Sequence, residues 1–107
     1  MVVNLNIPFY YTDKELCNIL NSNNIDLNIN IKECKEYMNR NGWSLSKRKQ
    51  YSSKEVLVIN LGVIKKIVDF NGWKIEINKK GEFISSIMKN EKDAMIVCIL
   101  ENIKREQ

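Results

Sequence analysis

Three consecutive cations, Lys47-Arg48-Lys49, stand between two aromatic residues, Trp43 and Tyr51. Cations interleaved with rings can hold phosphate oxygens while a ring stacks on a base. A second grouping of the same residue types follows, with Trp73 ahead of Lys79 and Lys80. The candidate binding residues are therefore Trp43, Lys47, Arg48, Lys49, Tyr51, Trp73, Lys79 and Lys80. A plainer reading stands beside this one. If 44–50 is a strand, Lys47 and Lys49 share a face with Trp43 and Leu45, and their charge simply guards a half-exposed edge against pairing with another chain.

Catalytic chemistry finds little to work with. The 107 residues include no His, which general acid–base catalysis recruits most often. Serine-hydrolase triads, Cys–His nucleophile pairs and His-containing metal sites are removed together. Cys17, Cys34 and Cys98 lack the close-pair spacing of zinc ligands, and no glycine-rich loop follows a strand as a phosphate cradle would. Their odd number and apolar surroundings suggest reduced core thiols rather than a disulfide framework. Glu33 with Glu36, and Glu91 with Asp93, are carboxylate pairs, but each sits where a helix N-terminus attracts negative charge. The expectation is a non-enzymatic binding protein with no metal and no cofactor.

A chain of this length forms one domain, 1–107, and 44% hydrophobic with 28% charged residues suits a folded core. Residues 1–25 read as an N-terminal extension with a short strand and a helix. Asn and Ile occur 15 times each and Lys 14 times. All three are written with A- and T-rich codons, so the composition points to an AT-rich genome. The net charge of +4 is uneven: residues 47–80 carry nine basic against three acidic groups. That middle segment could attract phosphate or an acidic surface, or be a solvated Lys-rich face. No window approaches a membrane span and no leader pattern precedes residue 20, so a cytoplasmic protein is expected.

The elements that must position these residues follow from periodicity and caps. VVNLNI alternates as a strand ended by Pro8. Thr12 with Glu15 forms a capping box ahead of a helix carrying Leu16, Cys17 and Leu20 on one face, and Asn30 with Glu33 opens a second with Ile31, Cys34 and Met38 as its stripe. That helix stops at Asn41-Gly42-Trp43, and the same tripeptide recurs at Asn71-Gly72-Trp73. After the first comes SLSKRKQY as a strand, then a helix from Ser52 and Glu55 with Leu57, Leu61, Ile64 and Val68 on one face. The stretch VLVI alone would suit a strand, but its continuation favours the helix. After the second come KIEI, a turn at 79–81, EFISSI, and a helix capped by Asn90 and Asp93 with Ile96, Ile99, Leu100 and Ile103 on its stripe. Gly is favoured just past a helix end, where φ is positive, and the following Trp can fold back on the apolar face. The fold class is therefore α+β: a small antiparallel sheet packed with helices, in two helix-NGW-strand-helix halves.

Two resemblances bear on function. IPFYYTDKELCNIL resembles the first helix of small helix-turn-helix DNA-binding domains of the excisionase kind. From about residue 30 to 103 the chain resembles the phage ABA-sandwich domain family, small proteins of phages and prophages of Gram-positive bacteria. Gly42-Trp43, Tyr51-Ser52-Ser53-Lys54-Glu55, Gly72-Trp73-Lys74-Ile75-Glu76-Ile77 and Asp93-Ala94-Met95-Ile96-Val97-Cys98 carry that likeness. It implies helices packed on a small antiparallel sheet and a phage or prophage origin, with no catalytic residues to transfer.

The leading expectation is a phage-encoded protein acting on a host component, such as an anti-phage defence system, by occluding a host protein or capturing a small signalling nucleotide. A nucleic-acid-binding regulator and a virion or assembly component stand as alternatives, with no membrane partner expected and the oligomeric state open between monomer and dimer.

Overall fold

The structure, a computed structural model, describes residues 2–5, 11–60 and 63–106. In chain order the elements are β1 (Val2–Leu5), α1 (Asp13–Ser22), α2 (Ile31–Arg40), β2 (Ser44–Asn60), β3 (Val63–Lys79), β4 (Glu82–Met88) and α3 (Glu91–Glu106). The strands form one sheet in the order β1-β2-β3-β4, antiparallel except for β1, which runs parallel to β2. The fold is α+β, with helices packed on a small sheet, as the sequence implies. Of the strand expected from VVNLNI and ended by Pro8, Val2–Leu5 is β1, and Asn6, Ile7 and Pro8 lie outside the described residues.

Helix α3 sits at the centre. Every residue from Asp93 to Leu100 is buried, so this helix offers no face to water and must be walled all round. Ile75 and Ile77 of β3 and Met88 of β4 supply one wall, and α3 packs against both strands. Leu16 and Leu20 of α1 with Cys34 and Met38 of α2 supply another, in one continuous core that also takes in Ile25 and Trp43.

The first two helices share one local design eighteen positions apart. Thr12 Oγ1 accepts from the Glu15 N–H at 3.2 Å and Asn30 Oδ1 from the Glu33 N–H at 2.8 Å, satisfying donors that the helix start leaves open. At the other end the Ile25 N–H donates to the Leu20 carbonyl at 2.9 Å, and the Trp43 N–H to the Met38 carbonyl at 2.9 Å. Asn24 at φ 59° and Gly42 at φ 71° occupy the left-handed position between. These are two Schellman terminations, each sealed by an apolar contact across the last turn. The first NGW is therefore a helix stop, with Trp43 folded into the core at 3% exposure.

The second NGW is not. Gly72 and Trp73 lie within β3, paired with Tyr51 and Gln50 of β2. The helix expected from Ser52 to Val68 is instead the distal half of a long hairpin, so the first half does not end in a helix. Residues 53–60 are strand and pair with 63–70, leaving Leu61, part of the expected helical face, outside the described residues with residue 62. The reason is local: Val56, Val58, Ile59, Val63, Ile64, Ile67 and Val68 are β-branched and suit a pleated surface, while a helix through Gly62 would lose about 1 kcal/mol there. Ser52 and Glu55 accordingly form no cap.

Gly72 has its own requirement. A Cβ there would lie 2.3 Å from the Phe70 ring and 2.5 Å from the Met88 carbonyl oxygen, closer than real contacts allow. At the β3–β4 turn, Lys80 and Gly81 both adopt positive φ, 55° and 80°, as a two-residue hairpin turn of type I′ needs. Gly72→Ala is expected to destabilise by about 3 kcal/mol through overpacking, whereas Gly42→Ala, with open space around its Cβ, meets only the backbone cost of about 1 kcal/mol. Urea denaturation of the two variants measures the difference.

Candidate binding site

The eight candidate residues divide among three places, and a β-bulge decides the division. The β2–β3 register shifts between Leu45 and Lys47, making Ser46 an extra residue. Before it, Leu45 pairs with Ile77 and faces the helices. After it, Lys47 pairs with Glu76 and Lys49 with Lys74, while Arg48 pairs with the buried Ile75. Side chains of directly opposed residues share a face. Lys47 and Lys49 thus stand on the outer face, opposite Trp43 and Leu45, and Arg48 turns toward the helices. The expected sharing of a face fails because the alternation is interrupted once.

Arg48 reaches the start of α3. Its Nη1 lies 2.7 Å from Glu91 Oε1, and its guanidinium carbon 5.9 Å from the centre of the Trp73 ring. Trp73 is half-buried and forms one wall of an open groove of about 510 Å³, lined also by Ile29, Asn30, Ile31, Asn90, Glu91 and Lys92. The N-terminal ends of α2 and α3 meet here, each with its capping Asn at the rim. Ile31 is 36% exposed, apolar surface left uncovered in the groove. Lys92 is tied to Asp13 of α1 by an ion pair.

At the far end of α3 the same chemistry recurs. Lys79 Nζ lies 5.5 Å from the centre of the Trp43 ring and pairs with Glu106. Hydrogen bonding from Lys79 holds the Glu106 carboxyl below its usual range. Tyr37 meets Trp43 edge to face at 5.8 Å between ring centres. Lys79 and Lys80, with Glu82, Asn102 and Glu106, line a small polar pocket of about 150 Å³. Each Trp of the repeated tripeptide is thus capped by a cation whose charge is met by a carboxylate of α3.

Tyr51 is on the outer face with Lys47 and Lys49, but half-buried, its ring 5.7 Å from that of Phe70. The structure brings Arg48 together with Trp73, and Trp43 with Lys79 and Lys80, and leaves these two groups at opposite ends of α3. Sequence reasoning missed Ile29, Ile31 and Glu91 as neighbours of Trp73. Asn30 and Asn90 were legible as caps, but nothing local shows that two capped ends converge.

All three cysteines are free, and Cys17 departs from the expectation: it is exposed, because α1 turns Leu16 and Leu20 inward instead. Burial pushes the Cys34 thiol up to about 11 and raises that of Cys98 further. Burial also raises the Asp93 carboxyl, against the hydrogen bond it accepts from Asn90 Nδ2 at 2.9 Å. Among the described residues no three His, Cys, Asp or Glu side chains gather as metal ligands, and no helix is long and apolar enough to cross a membrane.

Among the described residues the fold and groove define an α+β scaffold with an aromatic-walled, cation-rimmed depression at a helix junction. Comparison with protein families, curated proteins and solved structures finds no match to this chain.

Two outcomes follow from the titrating groups. In the native protein a thiol reagent at pH 8 should modify Cys17 rapidly and Cys34 and Cys98 only after denaturation, read by mass spectrometry. A raised carboxyl contributes stability present below its unfolded pKa of about 3.9 and lost as pH rises through the folded value. The stability of Asp93→Asn relative to the parent should therefore increase between pH 3 and pH 7 in paired urea titrations.

Proposed function

We propose that this chain is a small non-enzymatic binding protein that occludes a surface of a partner protein through the groove where α2 and α3 begin. Trp73 carries the reading: a half-buried indole, flanked by Arg48 and set among Ile29 and Ile31, at the centre of a polar rim. Interface hot spots favour Trp and Arg in such surroundings, apolar at the centre and polar at the edge. The groove is open, whereas small-molecule sites enclose most of their ligand. A protein segment that inserts an apolar side chain beside Trp73 and Ile31 suits it better than a mononucleotide.

The likeness to phage ABA-sandwich proteins and the AT-rich composition support a phage- or prophage-encoded protein acting on a bacterial host component, such as a defence system. Capture of a signalling nucleotide is the second reading, favoured by the Arg48 guanidinium over the Trp73 ring, an arrangement that could extend to a stacked base.

Native mass spectrometry of the tagged protein recovered from a Gram-positive lysate, before and after heat release, separates the readings. The expected result is a stoichiometric protein partner that Trp73→Ala loses and Lys49→Gln retains. With the partner purified, Trp73→Ala should weaken binding by about 2 kcal/mol, roughly 30-fold in Kd. A nucleotide-sized mass would move the assignment to the second reading, and recovery unaffected by Trp73→Ala would remove the groove from the function.

A further inference from the structure

The groove accounts for Arg48 and Trp73 and leaves the other face of the sheet without a role. We propose that this outer face, turned away from the helices, binds single-stranded nucleic acid, with Lys47, Lys49 and Lys74 on phosphates and Phe83 stacked on a base.

The cross-strand register sets the charges in place. Lys49 and Lys74 are directly opposed on β2 and β3 and share the outer face. Like charges in such positions repel, so this sheet carries an unfavourable pair that a phosphate between them would relieve. Lys47, two residues along β2, is exposed on the same face. The acidic residue here is Glu76, opposite Lys47 and 3.3 Å from the Lys74 ammonium. Among the outer-face residues of 47–51, 72–78 and β4, three lysines thus stand against one carboxylate.

The same face carries an aromatic side chain with no structural task that would hide it. Phe83 pairs with Asn78 at the start of β4 and is 61% exposed, the most exposed large apolar side chain among the described residues. Exposing it to water is unfavourable, and a base stacked on its ring would cover it. Tyr51, also on this face, is packed against Phe70, which leaves Phe83 as the stacking group. Phe70 and Ile87 are buried on this face, so its exposed part is the one that carries Lys47, Lys49, Lys74 and Phe83. A ring at one strand with cations at its neighbours suits a single strand, whose unpaired bases offer their flat sides, better than a duplex.

Fluorescence anisotropy with labelled 20-nucleotide oligothymidylate and oligouridylate tests this. Each phosphate contact to a single strand contributes a salt slope of about −0.7, so three lysines predict a log–log slope near −2. Lys47→Gln/Lys49→Gln/Lys74→Gln should flatten that slope and weaken binding at 50 mM salt at least tenfold. Phe83→Ala should weaken it about fivefold or more with the slope unchanged. Lys104→Gln, an exposed charge at the end of α3, serves as the neutralisation control and should alter neither beyond its share of net charge. Circular dichroism confirms that each variant keeps its fold, since all these side chains are exposed or half-exposed. Absence of binding at 50 mM salt, binding that survives both the triple change and Phe83→Ala, or equal affinity for a 20-base-pair duplex would each overturn the proposal. These outcomes are independent of the groove, because a protein partner lost with Trp73→Ala neither requires nor excludes them.

Discussion

Burial of α3 on every side is the constraint from which the remaining architecture follows. A helix with one apolar stripe can lie on a sheet and face water elsewhere, but one buried from Asp93 to Leu100 without interruption cannot. It needs a sheet on one flank and further helices on another. That need explains the two short helices: at ten residues each, α1 and α2 are marginal on their own and acquire stability by packing. The tight caps at both ends of each helix then fix where those flanking walls begin and stop. The polar ends of α3 are handled separately, by Arg48 at Glu91 and Lys79 at Glu106, each cation resting near a Trp ring.

The parts of this fold that were legible are those decided within a few residues. Thr12 with Glu15 and Asn30 with Glu33 mark helix starts because the hydrogen bond closes over one turn. Gly42 marks a stop because only a residue tolerant of positive φ fits there. Asn71-Gly72-Trp73 has the same letters but a different cause. Its Gly yields to the Phe70 ring and the Met88 carbonyl, and the contact with Met88 crosses sixteen positions of sequence that no local pattern reports. The stretch 52–68 was misread for a related reason. Its apolar positions satisfy both periods, and the choice between them rested on β-branching and on strand partners, one of them at the far N-terminus in β1. The candidate residues fared likewise: their types were visible, while their grouping depended on which ends of which elements converge.

The basic middle of the chain is likewise resolved by geometry rather than composition. Three adjacent cations in sequence become members of two surfaces. Arg48 is neutralised by Glu91 and half-shielded, whereas Lys47 and Lys49 remain beside Lys74 with a single carboxylate near them. A count of charges along the chain sees one positive segment. The folded sheet has a tied cation on one side and an uncompensated field on the other, and only the second acts at a distance through solvent.

The extra residue at Ser46 behaves as a parity bit for β2. Side chains on a strand are sorted by odd and even position, and one unpaired residue exchanges the two classes for everything beyond it. The identity of each surface is thus decided partly by whether that one residue is paired, independently of which amino acids occupy the strand. Were Ser46 taken into regular pairing, the sequence would be unchanged and yet Arg48 would stand where Lys47 and Lys49 now do, whereas a chain lacking Ser46 would keep every face as it is. Similarity scored residue by residue would record the loss of Ser46 as a gap although the exposed faces were kept, and would be blind to a change of pairing that traded them.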